Sequence, residues 1–255
     1  MKKYSIYILA VCLLWPIQQS CSWNVRHSSQ SQDPVEDIEL SAPAPTVIVD
    51  TTRSGLVIYY PSFSAVDLRC LERPDPDKDS TVVFCCAGAY TGKGAKGHSN
   101  IAGDHVSGGK RYHGYRCKRN TGAFVFYNGK WKFLYKAYTH ELDSAAANNG
   151  CGYAQEMMIH DSLQVPTARP LGNVNQFRGL CEIDGKLAIA ESTDKIPFGK
   201  FISSLLDAGA TEALYTDMGN GWNYSWYREY ADKRATLIHP GYQEKATNWL
   251  VFLFL

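Results

Sequence analysis

The sequence predicts an α+β domain with a β-rich mixed sheet, few helices and one long helix, at about residues 198–208, packed on the sheet. Three observations support this class: short β-branched or aromatic runs, two hairpin-forming dipeptides and a single amphipathic segment. The chain has 255 residues and is 45% hydrophobic, which is enough apolar material for a buried core. Its formal charge of +1 provides no basic excess for a phosphate backbone, so a nucleic-acid partner is disfavoured.

The first 45 residues are predicted to lie outside the domain. Two lysines, an apolar run and Ser20-Cys21 follow one another as in a bacterial lipoprotein signal peptide at residues 1–20. We expect lipidation of Cys21; cleavage without lipid is an alternative, and a spanning helix would need roughly 20 apolar residues. Residues 21–45 are predicted to form a flexible tether, and residues 46–255 are predicted to form the domain. The protein is thereby expected in the bacterial cell envelope, anchored by lipid to the outer membrane on its periplasmic or surface face.

The strand and turn signals are local. Runs of β-branched and aromatic residues predict strands at 46–49, 55–60, 65–70, 81–86 and 249–255. Asn128-Gly129 and Asp184-Gly185 each separate two further runs of this kind, and both dipeptides favour the positive φ angles of two-residue hairpin turns. We therefore predict two hairpins centred on these dipeptides.

One helix is predicted between Pro197 and Gly209. Pro197 suits a first turn, Gly209 suits the end, and apolar residues recur between them at helical spacing. A strand at 212–216 follows and runs directly into Asp217, where a glycine-containing loop begins. A carboxylate at a strand end beside such a loop is well placed for catalysis or binding.

Six cysteines lie in the predicted domain: Cys70, Cys85, Cys86, Cys117, Cys151 and Cys181. Because an exported protein can oxidise them, the sequence predicts structural disulfides together with buried thiols, and it leaves the pairing open. Neighbouring residues of a strand point to opposite faces, which disfavours a bond between Cys85 and Cys86.

Two possible ligand motifs are weak. Residues 92–97 carry the glycine pattern of a dinucleotide loop, but no apolar helix follows, so a glycine-rich loop near a site is the better interpretation. His98, His105, His113 and Cys117 match no closed zinc spacing, and solvated or hydrogen-bonded histidines are preferred. No cofactor is predicted, and a divalent metal requirement is left open.

Aromatic residues are dense after the glycine loop: Trp222, Tyr224, Trp226 and Tyr227. Their faces can stack on sugar rings, although core packing explains aromatic residues equally well. Asn220 and Asn223 add amide donors and acceptors nearby, which favours a ligand-binding role.

Several motifs occur in a characteristic order: Phe177-Arg178-Gly179, Asp184-Gly185-Lys186-Leu187, the helix, Ala213-Leu214-Tyr215-Thr216-Asp217 and Gly219. In this order they resemble the phosphodiester glycosidase family, the bacterial relatives of the mannose 6-phosphate uncovering enzyme. Upstream, Cys86-Ala87-Gly88-Ala89-Tyr90 is similar to the family's asparagine-alanine-glycine-x-aromatic element, and residues 155–161 to its segment ahead of a second turn.

The resemblance implies hydrolysis of a glycosidic bond to a phosphodiester-linked sugar, with a glycan or sugar phosphate as substrate. Asp217 would be the general base or electrostatic stabiliser, Arg178 the phosphate ligand and Glu156 the second carboxylate. Glu191 and Glu182 are alternatives for that second carboxylate. The substrate-binding positions implied are Gly88, Tyr90, Gln155, Gly219, Asn220 and Asn223.

Two departures affect the expected site. Cys86 stands where the family has asparagine, and Met218 stands where the first glycine after the aspartate is usual. An alternative is therefore a glycan-binding module of the envelope that has kept the fold and lost the chemistry. Structural roles also remain open for Arg178 as an ion-pair partner and for Asp217 as a turn-capping residue. The oligomeric state is left open.

Overall fold

The computed structural model describes residues 44–92, 97–242 and 247–254, all within the compact unit Ala42–Leu255. The signal peptide, Cys21 and nearly all of the tether lie outside the described residues, as does the centre of the glycine-rich loop at 93–96. In the described ranges, no helix combines the length and the apolar character needed to cross a membrane.

Short strands make up most of the regular structure. The first ten are β1 (Val47–Asp50), β2 (Leu56–Pro61), β3 (Ala65–Cys70), β4 (Val82–Ala87), β5 (His105–Ser107), β6 (Lys110–Tyr112), β7 (Gly122–Tyr127), β8 (Lys130–Tyr135), β9 (Cys151–Gln155) and β10 (Met157–His160). The others are β11 (Leu163–Gln164), β12 (Val174–Asn175), β13 (Arg178–Ile183), β14 (Lys186–Ser192), β15 (Ile196–Pro197), β16 (Ala210–Thr216), β17 (Ser225–Tyr227), β18 (Thr236–His239) and β19 (Asn248–Leu253).

These strands form antiparallel sheets. One has seven strands in the order β1-β2-β14-β13-β16-β10-β11. Two have five strands, in the orders β18-β17-β4-β19-β3 and β6-β5-β9-β7-β8, and β12 pairs with β15. Each ladder between these strands is antiparallel, so the predicted mixed sheet is corrected to several antiparallel sheets.

Both predicted hairpins are confirmed. Asn128 and Gly129 join β7 to β8 with φ of 52° and 69°, and Asp184 and Gly185 join β13 to β14 with φ of 53° and 68°. Two consecutive positive φ angles define the turn whose twist matches that of the flanking strands. The turn residues therefore set the register of both strand pairs.

Two short helices replace the single long helix that the sequence predicts. Helix α1 (Thr139–Ala147) has nine residues and helix α2 (Phe198–Asp207) has ten; a 3-10 helix covers Gly97–Asn100. Helix α2 lies where the sequence places it and ends before Gly209, whose φ is 88°. Helix α1 carries only two buried residues, Leu142 and Ala145, so its sequence shows little amphipathic pattern.

Side-chain alternation gives the seven-stranded sheet two buried faces. On one face, Ile58, Cys181 and Tyr215 pack with Phe198 and Phe201 of α2. On the other face, strand residues such as Leu180, Ile189 and Leu214 join a central core shared with the two five-stranded sheets. The sheets therefore meet over this core, and the ends of β16 and β4 are brought together.

The described cysteines are all free thiols, which corrects the prediction of disulfides. Cys85, Cys86, Cys151 and Cys181 are completely or almost completely buried in strands. They pack as small apolar side chains within the core, as the sequence predicted for the cysteines that form no disulfide.

Candidate active site

Asp217 lies directly after β16, where the seven-stranded sheet meets the end of β4. Its backbone N–H donates to the Gly88 carbonyl at 2.7 Å, which joins the two strand ends. The carboxylate accepts hydrogen bonds from the N–H groups of Gly219 at 3.1 Å and Thr91 at 3.3 Å. Only 3% of the residue is exposed, and its carboxylate is held by two backbone N–H groups, one from its own loop and one from the segment after β4.

Burial raises the pKa of Asp217 to about 6. The hydrogen bonds from Gly219 and Thr91 and the positive charges of Arg178 and Arg169 oppose this shift without cancelling it. A carboxyl group with this pKa exchanges protons near neutral pH, which is the property of a general acid or base.

The raised pKa of Asp217 predicts an unusual dependence of stability on pH. The folded state binds the Asp217 proton more tightly than the unfolded state, whose pKa is about 3.9. A gap of one between the folded and unfolded pKa values corresponds to about 1.4 kcal/mol. The Asp217 contribution to the free energy of unfolding should therefore fall by about 2 kcal/mol as the pH rises from 4 to 7.

Urea unfolding of the wild-type protein and Asp217→Asn at pH 4, 5, 6 and 7 measures this contribution. Asparagine does not titrate, so the difference between the two free energies should change with pH by this amount. Any constant cost of the substitution leaves the slope of that difference unchanged. A difference that stays constant over this range would contradict the raised pKa.

Arg178 is completely buried below the Asp217 loop. Its Nε donates to Glu191 at 2.6 Å, and Nη2 donates to the Asn223 carbonyl at 3.1 Å and the Ser225 hydroxyl at 2.9 Å. Nη1 donates to the Asp217 carbonyl at 3.4 Å. The guanidinium therefore holds the loop from inside the protein, and this geometry matches the ion-pair role rather than direct contact with a phosphate.

Glu191, on β14 opposite Arg178, forms the other half of this buried pair. Its second oxygen lies 2.9 Å from Nε2 of His239. Burial alone would raise the pKa of Glu191, but Arg178 and His239 outweigh burial and hold the pKa below its usual value. Glu191 is thus an ionised partner of Arg178, and it is committed to this network.

Glu156 and Arg169 form a second buried pair that the sequence did not predict as a pair. Glu156 is fully buried and accepts the backbone N–H of Arg169 at 2.7 Å through Oε1. Its Oε2 lies 3.5 Å from Nε of Arg169, a separation that brings the charges together without hydrogen-bond geometry. Burial raises the pKa of Glu156 above its usual value.

The Arg169 guanidinium is held among aromatic rings. Its Cζ lies 4.4 Å from the ring centroid of Tyr215, 5.0 Å from Phe198, 5.5 Å from Phe177 and 5.7 Å from Tyr90. Nε and Nη2 are buried without a hydrogen-bond partner among the described residues. A buried cation with unused donors is costly unless a ligand or water satisfies it, so Arg169 is the strongest candidate for binding an anion here.

The outer wall of this site is polar. Tyr90 is half-buried, and its hydroxyl accepts a hydrogen bond at 3.3 Å from Arg119, which is exposed. Tyr115 is 37% exposed; burial raises its pKa, and Cys117 and Asp217 add to the shift. A cavity of about 480 Å³ adjoins Tyr115 and is lined by Gly103, Asp104, Gly114, Arg116, Cys117, Lys118, Asn120, Tyr138 and Thr139.

The other residues expected in the site lie around Asp217 with different roles. A Cβ on Gly88 would lie 2.7 Å from the side-chain oxygen of Asn248, so the close approach of these strands requires glycine. Gly219 contacts the Asp217 carboxylate, and Asn223 contacts Arg178 through its carbonyl. Asn220 is exposed.

Gln155 is fully buried beside Glu156. Its Oε1 accepts the Glu156 N–H at 3.1 Å, and its Nε2 has no hydrogen-bond partner among the described residues. Glu182 lies farther along β13 and accepts the indole N–H of Trp131 at 2.7 Å. Gln155 therefore borders the Glu156–Arg169 pair, whereas Glu182 is engaged elsewhere.

The two departures from the family pattern are core residues. Cys86 is completely buried in β4, where burial raises its thiol pKa to about 12, and Met218 is 3% exposed against the α2 side of the sheet. Tyr224 and Trp226 are also buried in a core cluster, so core packing explains these two aromatic residues. Trp222 and Tyr227 are half-buried.

Groups that could ligate a metal occur in two places among the described residues: Cys70 with His98 and His105, and His160 with Asp161 and Glu212. Neither group contains Asp217. His160 Nδ1 lies 2.9 Å from Glu212, and Asp161 is exposed, as is common for surface acids without a metal.

Comparisons with known proteins define the fold more clearly than the family. No protein-family model and no curated protein matches the chain. The fold resembles that of a phosphodiester glycosidase. The solved structure that shows this likeness is the catalytic domain of zebrafish N-acetylglucosamine-1-phosphodiester alpha-N-acetylglucosaminidase, auto-inhibited by its pro-peptide. Its TM-score with this chain is 0.54, and the two sequences are 10% identical. The match covers 84% of this chain and 83% of that one.

A hypothetical protein from Synechocystis also matches, with a TM-score of 0.48 and 9% identity over 84% of this chain and 64% of that chain. At such identities the likeness concerns the fold alone. The likeness to the zebrafish domain supports the fold implied by the sequence resemblance, while the activity has to be argued from the residues of the site.

Proposed function

We propose that this domain hydrolyses the glycosidic bond of a sugar that is linked to a phosphodiester. Asp217 carries the proposal, because a buried carboxylate with a pKa of about 6 lies where two sheet ends and a glycine-containing loop converge. A group of this pKa can accept a proton from water at neutral pH and can stabilise positive charge at an anomeric carbon.

Arg169 supplies the anion contact in this proposal. Nε and Nη2, which make no hydrogen bond to the described residues, provide donors in a fixed fork that matches a phosphate. The surrounding rings restrict the motion of the guanidinium. The charge of Arg169 lowers the pKa of Asp217, so the two groups lie within electrostatic reach of each other. We therefore assign to Arg169 the phosphate contact that the sequence assigned to Arg178, and we regard Arg178 and Glu156 as positioning residues.

The reaction then needs one carboxylate at the sugar. Water attacks the anomeric carbon while the bond from that carbon to the phosphate oxygen breaks. The proton of the water passes to Asp217, and the bonding electrons leave with the phosphate. Because the second pKa of a phosphate monoester is only about 6, this leaving group needs less protonation than an alcohol.

The proposal predicts that Arg169→Met lowers kcat/KM for a sugar-1-phosphodiester by about 100- to 1000-fold, the usual effect of losing one charge-stabilising donor. The measurement is sugar release by the purified full chain. Arg234→Met is the matched control, since this arginine is 88% exposed and has one distant ion pair at 3.9 Å. Equal rates for the wild type and Arg169→Met, with both proteins folded by circular dichroism, would contradict the assignment.

A second candidate is a glycan-binding module without turnover. It is favoured by the burial of the charged side chains, because Arg178 and Glu156 are completely buried and Asp217 is only 3% exposed. Calorimetry with the same sugar phosphodiesters separates the two functions. Binding of an uncleaved compound favours the module, and turnover that depends on Asp217 excludes it.

The domain organisation is part of the same proposal. We place a signal peptide at 1–20, a lipid on Cys21, a tether at 21–45 and the hydrolase domain at 46–255, in the bacterial cell envelope. The support is the charge, hydropathy and composition of the first 45 residues. Incorporation of labelled palmitate that persists in Cys21→Ser would contradict the lipid anchor.

A further inference from the structure

We infer that Cys70, His98 and His105 form a binding site for one zinc-like divalent transition metal ion. Cys70 ends β3, His98 lies in the 3-10 helix, and His105 begins β5. The Cys70 Sγ and one ring nitrogen of each histidine all lie within 4.8 Å of one another. One thiol and two imidazoles on separate elements are the ligand types that zinc prefers.

The orientation of His105 suits a ligand. Its Nδ1 lies 3.2 Å from the Gly103 carbonyl, which can only accept a hydrogen bond, so Nδ1 carries the proton. The lone pair of Nε2 therefore points toward His98, whose Nδ1 lies 2.9 Å away. In metal-binding histidines, the ring nitrogen that does not bind the metal commonly donates its hydrogen to a backbone carbonyl. This hydrogen bond fixes the tautomer and the plane of the ring.

The distance between the two ring nitrogens requires only a small adjustment. Tetrahedral zinc with Zn–N of about 2.05 Å separates two ligating nitrogens by about 3.3 Å. The two nitrogens would therefore move apart by about 0.4 Å from the metal-free hydrogen bond. On binding, the Cys70 thiol loses its proton to solvent, and the His98 proton moves from Nδ1 to Nε2.

An aromatic ring and several charged side chains surround the three proposed ligands. The ring of His98 stacks on Tyr112 at 3.4 Å and nearly parallel, which limits rotation. Asp67 and Asp104 bring negative charge near Cys70 and His105, whereas Lys110 brings positive charge near His98.

The ion would brace the wall of the candidate active site. Cys70 pairs in the sheet with Asn248, whose side chain both donates to and accepts from the backbone of Ala89. Thr91, which donates to Asp217, is bridged to Ile101 just after the 3-10 helix. A metal joining Cys70 to His98 and His105 would therefore fix the segment that carries Thr91. The inference concerns binding and does not depend on the proposed hydrolysis.

The test titrates Co²⁺ into the chelator-treated full chain and follows thiolate-to-metal charge transfer and the visible bands of tetrahedral cobalt. We expect saturation at one ion per chain, displacement by Zn²⁺, and loss of the charge-transfer band in Cys70→Ser. His105→Ala should weaken Zn²⁺ binding by more than about 100-fold, since even outer-shell changes cost 10- to 100-fold.

Cys117→Ser and His113→Ala are matched controls, because neither residue belongs to the cluster, and both should retain wild-type spectra. Absence of the charge-transfer band in the wild type would overturn the inference, and this result needs no variant to fold. A band that persists in folded Cys70→Ser, or that disappears in Cys117→Ser, would overturn the ligand assignment.

Discussion

Glu191→Gln is expected to lower the free energy of unfolding by about 3–5 kcal/mol, the usual cost of removing one partner of a buried ion pair. The substitution leaves the completely buried Arg178 guanidinium without a counter-charge, while the side-chain shape is nearly unchanged. His239 loses the same partner. Urea denaturation at neutral pH measures this loss.

Two further variants separate the charge effect from a general cost. Glu72→Gln, at an exposed position, should change the free energy of unfolding by less than about 0.5 kcal/mol. Arg178→Met combined with Glu191→Leu should cost less than the sum of the two single changes, since no unpaired charge remains in the core. Additive costs would show that the pair does not act as a unit.

Asp217→Asn is expected to reduce kcat by about 100- to 10,000-fold, the range for loss of a general base. The wild-type kcat/KM should fall about tenfold for each pH unit below about 6, because only the ionised carboxylate accepts the proton. The residual activity of the variant should lack this acidic limb. The measurement is a pH–rate profile on a sugar-1-phosphodiester.

Asp67→Asn is the matched control for this profile. Asp67 is also a partly buried carboxylate whose pKa is raised by burial, but it lies on β3 and accepts the N–H of Leu68. The variant should retain wild-type rates and the same acidic limb. An acidic limb near pH 4 in the wild type, or rates equally reduced by both substitutions, would assign the titrating group elsewhere.

Local sequence signals predicted much of the fold. The two hairpins depend on residues that accept positive φ, and α2 depends on apolar spacing between Pro197 and Gly209, so neighbouring residues were sufficient. Pairing between strands that are distant in the sequence could not be predicted: β13 also pairs with β16, and only the packed structure shows that the sheets beyond the hairpins are antiparallel. Helix α1 buries too few side chains to produce a pattern.

The sequence predicted those parts of the candidate site that are formed by consecutive residues. Asp217 was found because a strand, an acid and a glycine-containing loop are consecutive in the sequence. Arg169 was missed because its surroundings come from Glu156, Tyr90, Phe198 and Tyr215, four separate parts of the chain. Ala168-Arg169-Pro170 carries no pattern of its own that distinguishes a buried arginine from a loop arginine.

The role of Arg178 shows the same limit. Its position on a strand was clear, but alternation alone could not tell a phosphate ligand from the partner of Glu191 directly across the ladder. The free cysteines are a further case, since disulfide formation depends on distances that spacing does not give.

Cleavage in ¹⁸O-labelled water tests the central claim most directly. If Asp217 directs water to the anomeric carbon, a sugar-1-phosphodiester should yield a sugar with the label on its anomeric hydroxyl and an unlabelled phosphate monoester. Asp217→Asn should form this labelled product about 100- to 10,000-fold more slowly. Label in the phosphate would mean attack at phosphorus and would contradict glycosidic cleavage, and failure of the folded wild-type chain to cleave any such diester would contradict the hydrolase itself.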